Sequence, residues 1–336
     1  MKRFILPAVI ALLLAAAVTV PLAIRRANMR PRQIPVLMYH GVSDSPGKDV
    51  WTVSTDEFKE QMRQLRDNGF KSVLPRQLTL AWFGFFRLPE KPVVITFDDG
   101  YRNNLDIAEP VLAGNGFQAI CYLIVGNIAE TPEERTQYRG ADNLVWPEVD
   151  AAVARGTFDF GPHSFSHVPD PVRQSAEVPG VRIKLKHHLG RRPRDYCYPF
   201  GQAHERIQAA LEKNKFRTAM ICEDKVFDWS VDSDMFHIPR VSVYGGTHRF
   251  SLTDARLTNG VFTVTASNDG NALPVLGVLR DCKGGRTWNL VPERRLDSKP
   301  QEWRWEGLPA DIDCISVAIM DQNGLWIYFG KDFDFK

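Results

Sequence analysis

The chain has 336 residues, of which 44% are hydrophobic and 24% charged, and a formal net charge of +2. That composition is ordinary for a globular protein and leaves room for one large domain plus a small one. Six of the 42 basic residues (Lys2, Arg3, Arg25, Arg26, Arg30 and Arg32) lie in the first 32 positions, which hold no acid; the remaining 36 face 40 acidic residues, which argues against a nucleic-acid partner.

Phe4 to Ile24 is apolar or small apart from Thr19, with basic residues on both sides. A run of about 21 residues can span a bilayer. It continues past Ala15-Ala16-Ala17, where a signal peptide would be cut, so an uncleaved membrane anchor is favoured over cleavage. Either way, residues from about 33 onward are expected outside the cytoplasm, the anchored form reading as a cytoplasmic-membrane protein. Residues 1–32 thus form the anchor and a basic tether.

Ile34 to Gly41 reads as a short buried strand ending at His40. Thr55 to Asn68 has the apolar spacing of an amphipathic helix (Phe58, Met62, Leu65), closed by Gly69. A short strand at 70–74 precedes a helix at 77–86 crowded with Trp82, Phe83, Phe85 and Phe86. A core-facing side accounts for two of these rings; the others suit a membrane-proximal or sugar-contacting surface. Val93-Val94-Ile95 is a buried strand that runs into Asp98 and Asp99, followed by a helix over 101–113. A strand at 118–125, a polar excursion over 127–145 and a helix at 147–155 come next. Strand 157–160 leads to His163, a helix spans about 172–189, and strand 195–198 leads to Pro199-Phe200-Gly201. A helix at 203–214 and strands at 216–221 and 238–243 complete the series. Strands alternating with helices predict an α/β fold with a parallel sheet, and polar residues recur at strand C-termini, where such folds build active sites.

From about Arg249 the texture changes to short alternating segments with turn pairs Asn259-Gly260, Asp269-Gly270 and Asn323-Gly324, predicting a small all-β, sandwich-like domain. The expected division is 1–32, 33–246 and 247–336. Trp288, Trp303, Trp305 and Trp326 are expected in its core rather than stacked on sugars. The five cysteines (Cys121, Cys197, Cys222, Cys282, Cys314) include no CxxC pair, which disfavours a cysteine metal site. Cys282 and Cys314 either pair in an oxidising compartment or remain buried thiols.

Adjacent carboxylates are costly to desolvate unless a cation or a shared proton holds them. His163-Ser164-Phe165-Ser166-His167 sets two imidazoles four residues apart, on one face if the segment is helical. Two histidines and one carboxylate make a three-ligand site with an open position, suited to zinc and similar divalent ions. One aspartate serves as ligand and the other as general base on an activated water. His40, at its own strand end, is the candidate acid for a leaving amine.

Thr96-Phe97-Asp98-Asp99-Gly100 and His163-Ser164-Phe165-Ser166-His167 resemble the first two motifs of the polysaccharide deacetylases with a NodB homology domain (carbohydrate esterase family four), and Tyr198-Pro199-Phe200-Gly201 resembles the third. The resemblance covers about residues 34–243. It implies a distorted (β/α)7 barrel, ahead of the all-β domain, and metal-dependent N-deacetylation of a polysaccharide. It makes Asp98 the base and Asp99, His163 and His167 the ligands of a divalent ion, zinc first, with cobalt, nickel or iron as alternatives. It places substrate at Tyr198, Pro199, Phe200 and Gly201. Leu37-Met38-Tyr39-His40 resembles the permuted poly-N-acetylglucosamine deacetylase subgroup, whose acid histidine comes from the N-terminal strand. Where many members have an arginine that orients the base, this chain has Cys197; Asp234 to Arg240 reads as an ordinary final strand, and Asp228-Trp229 as a poor match to the family's Asp-Trp segment. The missing arginine keeps open a non-catalytic glycan-binding or export-complex protein; an O-acetyl esterase or amidase acting on a smaller substrate uses the same chemistry.

Overall fold

The computed structural model describes residues 33–336 apart from 48, 50, 224–225, 230–233, 244, 246–249, 269–273, 282–286, 291–300, 310, 313, 322–325, 329–331 and 335–336. The apolar run at 4–24 therefore lies outside the described residues; among those described, no helix is long and apolar enough to cross a membrane.

The first strands are β1 (Gln33–Ile34), β2 (Val36–Tyr39), β3 (Gly41–Ser43) and β4 (Thr52–Ser54), followed by helix α1 (Thr55–Asp67). Ser54 caps α1 reciprocally with Glu57, the Ser-x-x-Glu box that satisfies two orphan donors at a helix start. Then come β5 (Lys71–Ser72), α2 (Pro75–Trp82), β6 (Pro92–Asp99), a π-helical turn at Asn104–Ala108 leading into α3 (Glu109–Gly114), and β7 (Ala119–Leu123). The expected regular helix over 101–113 is thus irregular in its first half. A hairpin of β8 (Gln137–Tyr138) and β9 (Ala141–Asp142) precedes α4 (Trp146–Arg155), β10 (Phe158–Pro162) and α5 (Pro171–Leu189). The series closes with β11 (Asp195–Cys197), α6 (Glu205–Lys213), β12 (Thr218–Met220), β13 (Phe227–Asp228) and β14 (Val241–Ser242). Gly156 and Gly190 end α4 and α5 in the left-handed conformation that glycine adopts without strain.

Strands β10, β7, β6, β2 and β14 form one parallel sheet in that order, with β5 also paired to the start of β6; β11 and β12 form a second parallel pair. A parallel bridge joins Met220 to Ile238. The α/β class with a parallel sheet is as expected. Side chains alternate between two cores, because successive strand residues face opposite ways. Leu37, Tyr39, Ile95, Phe97, Cys121, Phe158 and Phe160 pack on one face with the flanking helices. Val36, Val94, Ile120, Tyr122, Cys197, Met220 and Ile238 pack on the other, where Leu78 and Ala81 of α2 join them. Helix α2 thus covers one end of that inner core, and stops at Trp82 rather than Phe86.

From Phe250 every strand pairing among the described residues is antiparallel. β15 (Phe250–Thr258), β16 (Val261–Asn268) and β19 (Gln301–Trp305) form one sheet. β17 (Pro274–Asp281), β18 (Thr287–Leu290), β20 (Cys314–Asp321), β21 (Trp326–Tyr328) and β22 (Asp332–Asp334) form another. Trp303 and Trp305 are buried against each other, as expected; the side chains of Trp288 and Trp326 lie outside the described residues. Cys314 is disulfide-bonded, whereas Cys121, Cys197 and Cys222 are free thiols; Cys282, the candidate partner weighed against two buried thiols, lies outside the described residues.

Candidate active site

Parallel strands deliver their C-terminal residues to one edge, and four of them meet there. β2 is followed by His40, β6 ends in Asp98 and Asp99, and β10 is followed by His163. With His167, Met38, Trp51, Arg139, Phe200, Gly201, Cys222 and Arg240 they line a cavity of about 220 Å³. Asp99 takes a left-handed φ of 73° and Gly100 one of 81°, turning the chain sharply out of β6. A Cβ on Gly100 would stand 2.8 Å from the Leu123 side chain, so the turn can close only on glycine.

The two histidines converge by a different route from the helical one their spacing suggests. Ser164 and His167 both have left-handed φ (60° and 48°), making a tight loop instead. Ser164 Oγ accepts from the His167 amide at 2.9 Å, and Glu177 on α5 accepts from the Phe165 and Ser166 amides at 3.1 and 3.2 Å. The loop brings the two Nε2 atoms to 3.2 Å, and Asp99 Oδ1 lies 3.9 Å from each. Their far sides are also held. His163 Nδ1 donates to the Cys197 carbonyl at 2.9 Å, which leaves the Nε2 lone pair facing Asp99, and the Tyr138 hydroxyl lies 3.3 Å from His167 Nδ1. Tyr101 donates to Asp99 Oδ2 at 3.2 Å.

Charge makes this trio unstable by itself. Burial holds His163 down to about 4 and His167 down to about 3, so both rings are neutral at neutral pH. Burial and the neighbouring Asp98 push Asp99 up to about 7. Two neutral nitrogens facing each other and a carboxylate that resists ionising describe a site short of positive charge. A point equidistant from the three donors lies about 2.1 Å from each, the bond length of zinc to imidazole or carboxylate. The residues fit a divalent ion. A second grouping, Asp98, His163 and Cys197, also lies close enough to share an ion. It is a poorer one: burial holds the Cys197 thiol well above its ordinary value, and it donates weakly to Asp98 at 3.7 Å rather than offering a thiolate.

Asp98 is held otherwise. Burial pushes its carboxyl up, but Arg240 and then His163 outweigh that and hold it well below the usual carboxylate range. Arg240 Nη1 and Nη2 donate to Asp98 Oδ1 and Oδ2 at 2.8 and 2.7 Å, a bidentate fork between two buried groups. The guanidinium is itself fixed by bonds to the Ile221 carbonyl at 3.2 Å and Thr96 Oγ1 at 3.1 Å. The Ile238-Pro239-Arg240 segment is therefore no ordinary strand: it carries the arginine that Cys197 lacks. Sequence reasoning missed it because Arg240 lies 142 positions from Asp98, and the one signal was an arginine directly before an apolar strand. Asp228 and Trp229 stand elsewhere, Asp228 paired in β13 and Trp229 buried against Trp82 and Phe227.

His40 lies in the cavity wall with its ring 4.6 Å from Trp51, and its Nδ1 is buried without a hydrogen-bond partner. Burial lowers it to about 4, against the opposing pull of Asp98. Of the four residues expected at substrate, Phe200 and Gly201 line the cavity. Phe200 is 46% exposed, with its ring 4.5 Å from His167 and φ at 59°. Tyr198 and Pro199 are buried and support the turn from beneath. The excursion at 127–145 does cross the active face. Its hairpin tip places Arg139 in the cavity wall, over the Tyr138 ring.

The polysaccharide deacetylase family model matches residues 87–219, which hold Asp98, Asp99, His163 and His167. The Bacillus subtilis protein YxkH, named for the same family, is 27% identical over 221 residues, covering 65% of this chain and 74% of that protein. The poly-beta-1,6-N-acetyl-D-glucosamine N-deacetylase of Escherichia coli K12 is 30% identical over 138 residues, 39% of this chain; the chain spans only 20% of that longer protein. Among solved structures, IcaB from Ammonifex degensii superposes with a TM-score of 0.55 at 24% identity, over 63% of this chain and 91% of IcaB. Motifs and geometry agree with the family match: residues 87–219 carry a polysaccharide deacetylase domain, and over this stretch the chain is similar to deacetylases in sequence and to IcaB in fold.

Proposed function

We propose that the chain removes acetyl groups from N-acetylhexosamine units of an extracytoplasmic polysaccharide, on a distorted (β/α)7 barrel followed by a sandwich-like domain. Asp99, His163 and His167 would hold a divalent ion, zinc by the donor set. When bound, the ion supplies Lewis acidity toward the acetamide carbonyl and acidifies a water. Asp98 accepts the proton of the attacking water as the new carbon–oxygen bond forms. Arg240 keeps both carboxylate oxygens fixed for that transfer. The Phe200 backbone N–H, at the cavity wall, is the candidate donor to the developing oxyanion. As the carbon–nitrogen bond breaks, His40 protonates the amine. His40 is neutral at rest, so the proton it delivers to the amine is balanced by the one the attacking water gives up to Asp98. The Phe200 and Trp51 rings give a sugar apolar faces at the mouth.

The observation that carries the reading is Asp98 forked by Arg240 beside the Asp99–His163–His167 trio in one cavity. Arg240 also removes the main argument for a non-catalytic binding protein, the absence of an arginine on the base. The test is acetate release from a panel of partly acetylated glycans, with chelation and metal add-back. Asp98→Asn should retain its ion and release no acetate; substantial turnover by that variant would remove Asp98 from the role.

A further inference from the structure

We propose that the face of the domain opposite the cavity lies against an anionic bilayer. Parallel strands that carry the cavity at their C-terminal ends begin at a common opposite end. Arg191, Arg192 and Arg194 directly precede β11 there, and with Arg76, Thr79 and Leu80 of α2 they line a groove of about 530 Å³. Asp159, second residue of β10, pairs with both Arg76 (3.4 Å) and Arg191, so one carboxylate serves two guanidinium groups. Arg192 and Arg194 are exposed and make no ion pair among the described residues. Arg182, whose Nε is buried without a partner, is close enough to feel the charge of both. Asp195, a second acid at this end, is buried and bonded by Thr218, and with Asp159 it sets two carboxylates against the four guanidinium groups of the groove. The groove holds more cations than it can neutralise.

Apolar groups stand beside it. On and just after α2, Leu80, Phe83 and Phe85 are 44%, 52% and 67% exposed, although Leu78 and Ala81 of the same helix are buried. Exposed aromatic rings beside unpaired arginines are the combination that seats a protein in the headgroup region of an anionic leaflet. The chain itself points the same way. β1 begins at Gln33, at this end of the sheet, with only eight residues between it and the apolar run that closes at Ile24, and four of those eight are arginines. A chain anchored through 4–24 cannot carry the domain far from the bilayer. Seating this face on the membrane turns the cavity mouth outward, toward a polymer beyond it. The proposal rests on the anchored, extracytoplasmic reading above.

The test uses the full chain reconstituted into nanodiscs, one set purely zwitterionic and one with a third of its lipid anionic, and reads hydrogen exchange at residues 76–87 and 190–195. Both segments should exchange on the order of tenfold more slowly in anionic discs, reverting toward the zwitterionic rate in high salt. Arg192→Glu/Arg194→Glu should abolish the difference, and Phe83→Ser/Phe85→Ser should weaken it, while acetate release from a soluble oligosaccharide stays at the parental rate. Equal exchange in both disc types would overturn the proposal. So would slowing that depends on protein concentration rather than lipid charge, which would assign the face to a second copy, or a chain that does not stay with the disc. Failure of the deacetylase reading would appear only in the acetate assay and leave the exchange data untouched.

Discussion

Replacing Arg240 tests the site most directly, because that residue is the part of it the sequence did not announce. Arg240 is 1% exposed and Asp98 2%, and the fork at 2.7 and 2.8 Å uses both carboxylate oxygens. Arg240→Met keeps most of the volume but leaves a buried carboxylate without its partner, which costs about 3–5 kcal/mol in such pairs. The catalytic loss comes from orientation: a base displaced by about 1 Å loses roughly 100-fold. Arg240→Lys restores the charge but not the fork, so it should recover stability more than turnover. The assay pairs urea denaturation with initial rates of acetate release, run as a double-mutant cycle with Asp98→Asn. In that background the Arg240→Met change should cost far less stability, since no carboxylate is left uncompensated. Arg240→Met with parental turnover and an unchanged urea midpoint would refute the positioning role.

His167→Ala should bring bound metal, measured by elemental analysis of the purified chain, from about one ion toward zero, and metal add-back should revive chelated parent but not the variant. Asp195 gives a pH signature. Its folded value of about 6 exceeds its ordinary 3.8, so between these values the folded chain keeps a proton that the unfolded chain has released. Stability therefore falls as pH rises from about 4 through about 6 and levels off above, and Asp195→Asn should remove the decline and gain up to about 3 kcal/mol at pH 7.5; a variant less stable than the parent at that pH would contradict the assignment. Gly201→Ala should cost at least about 2 kcal/mol in denaturant, since the residue has left-handed φ and its new methyl would meet Cys222 Cβ at 2.1 Å.

Much of the site was legible because it is written locally. A strand that ends in Asp98-Asp99-Gly100 and a segment bearing His163 and His167 keep their neighbours whatever the rest of the chain does. Parallel topology then carries strand ends to one edge, so His40, 58 positions before Asp98, could also be named in advance. The conformation of the histidine segment was not legible. A four-residue spacing suits a helix, but Ser164 and Glu177 bind its amides in a left-handed loop that brings the rings together just as closely. Nor was the partner of Asp98. A guanidinium reaches across a core to whatever carboxylate faces it, and no periodicity records that Arg240 faces Asp98 while Cys197 stops short with a thiol 3.7 Å away. The sequence by itself determined the order of strands and helices, the carboxylate pair and the imidazoles. Only tertiary structure decided that Arg240 is the group that forks Asp98 and that a left-handed loop, not a helix, joins the two imidazoles, because both are set by contacts between segments apart in the chain.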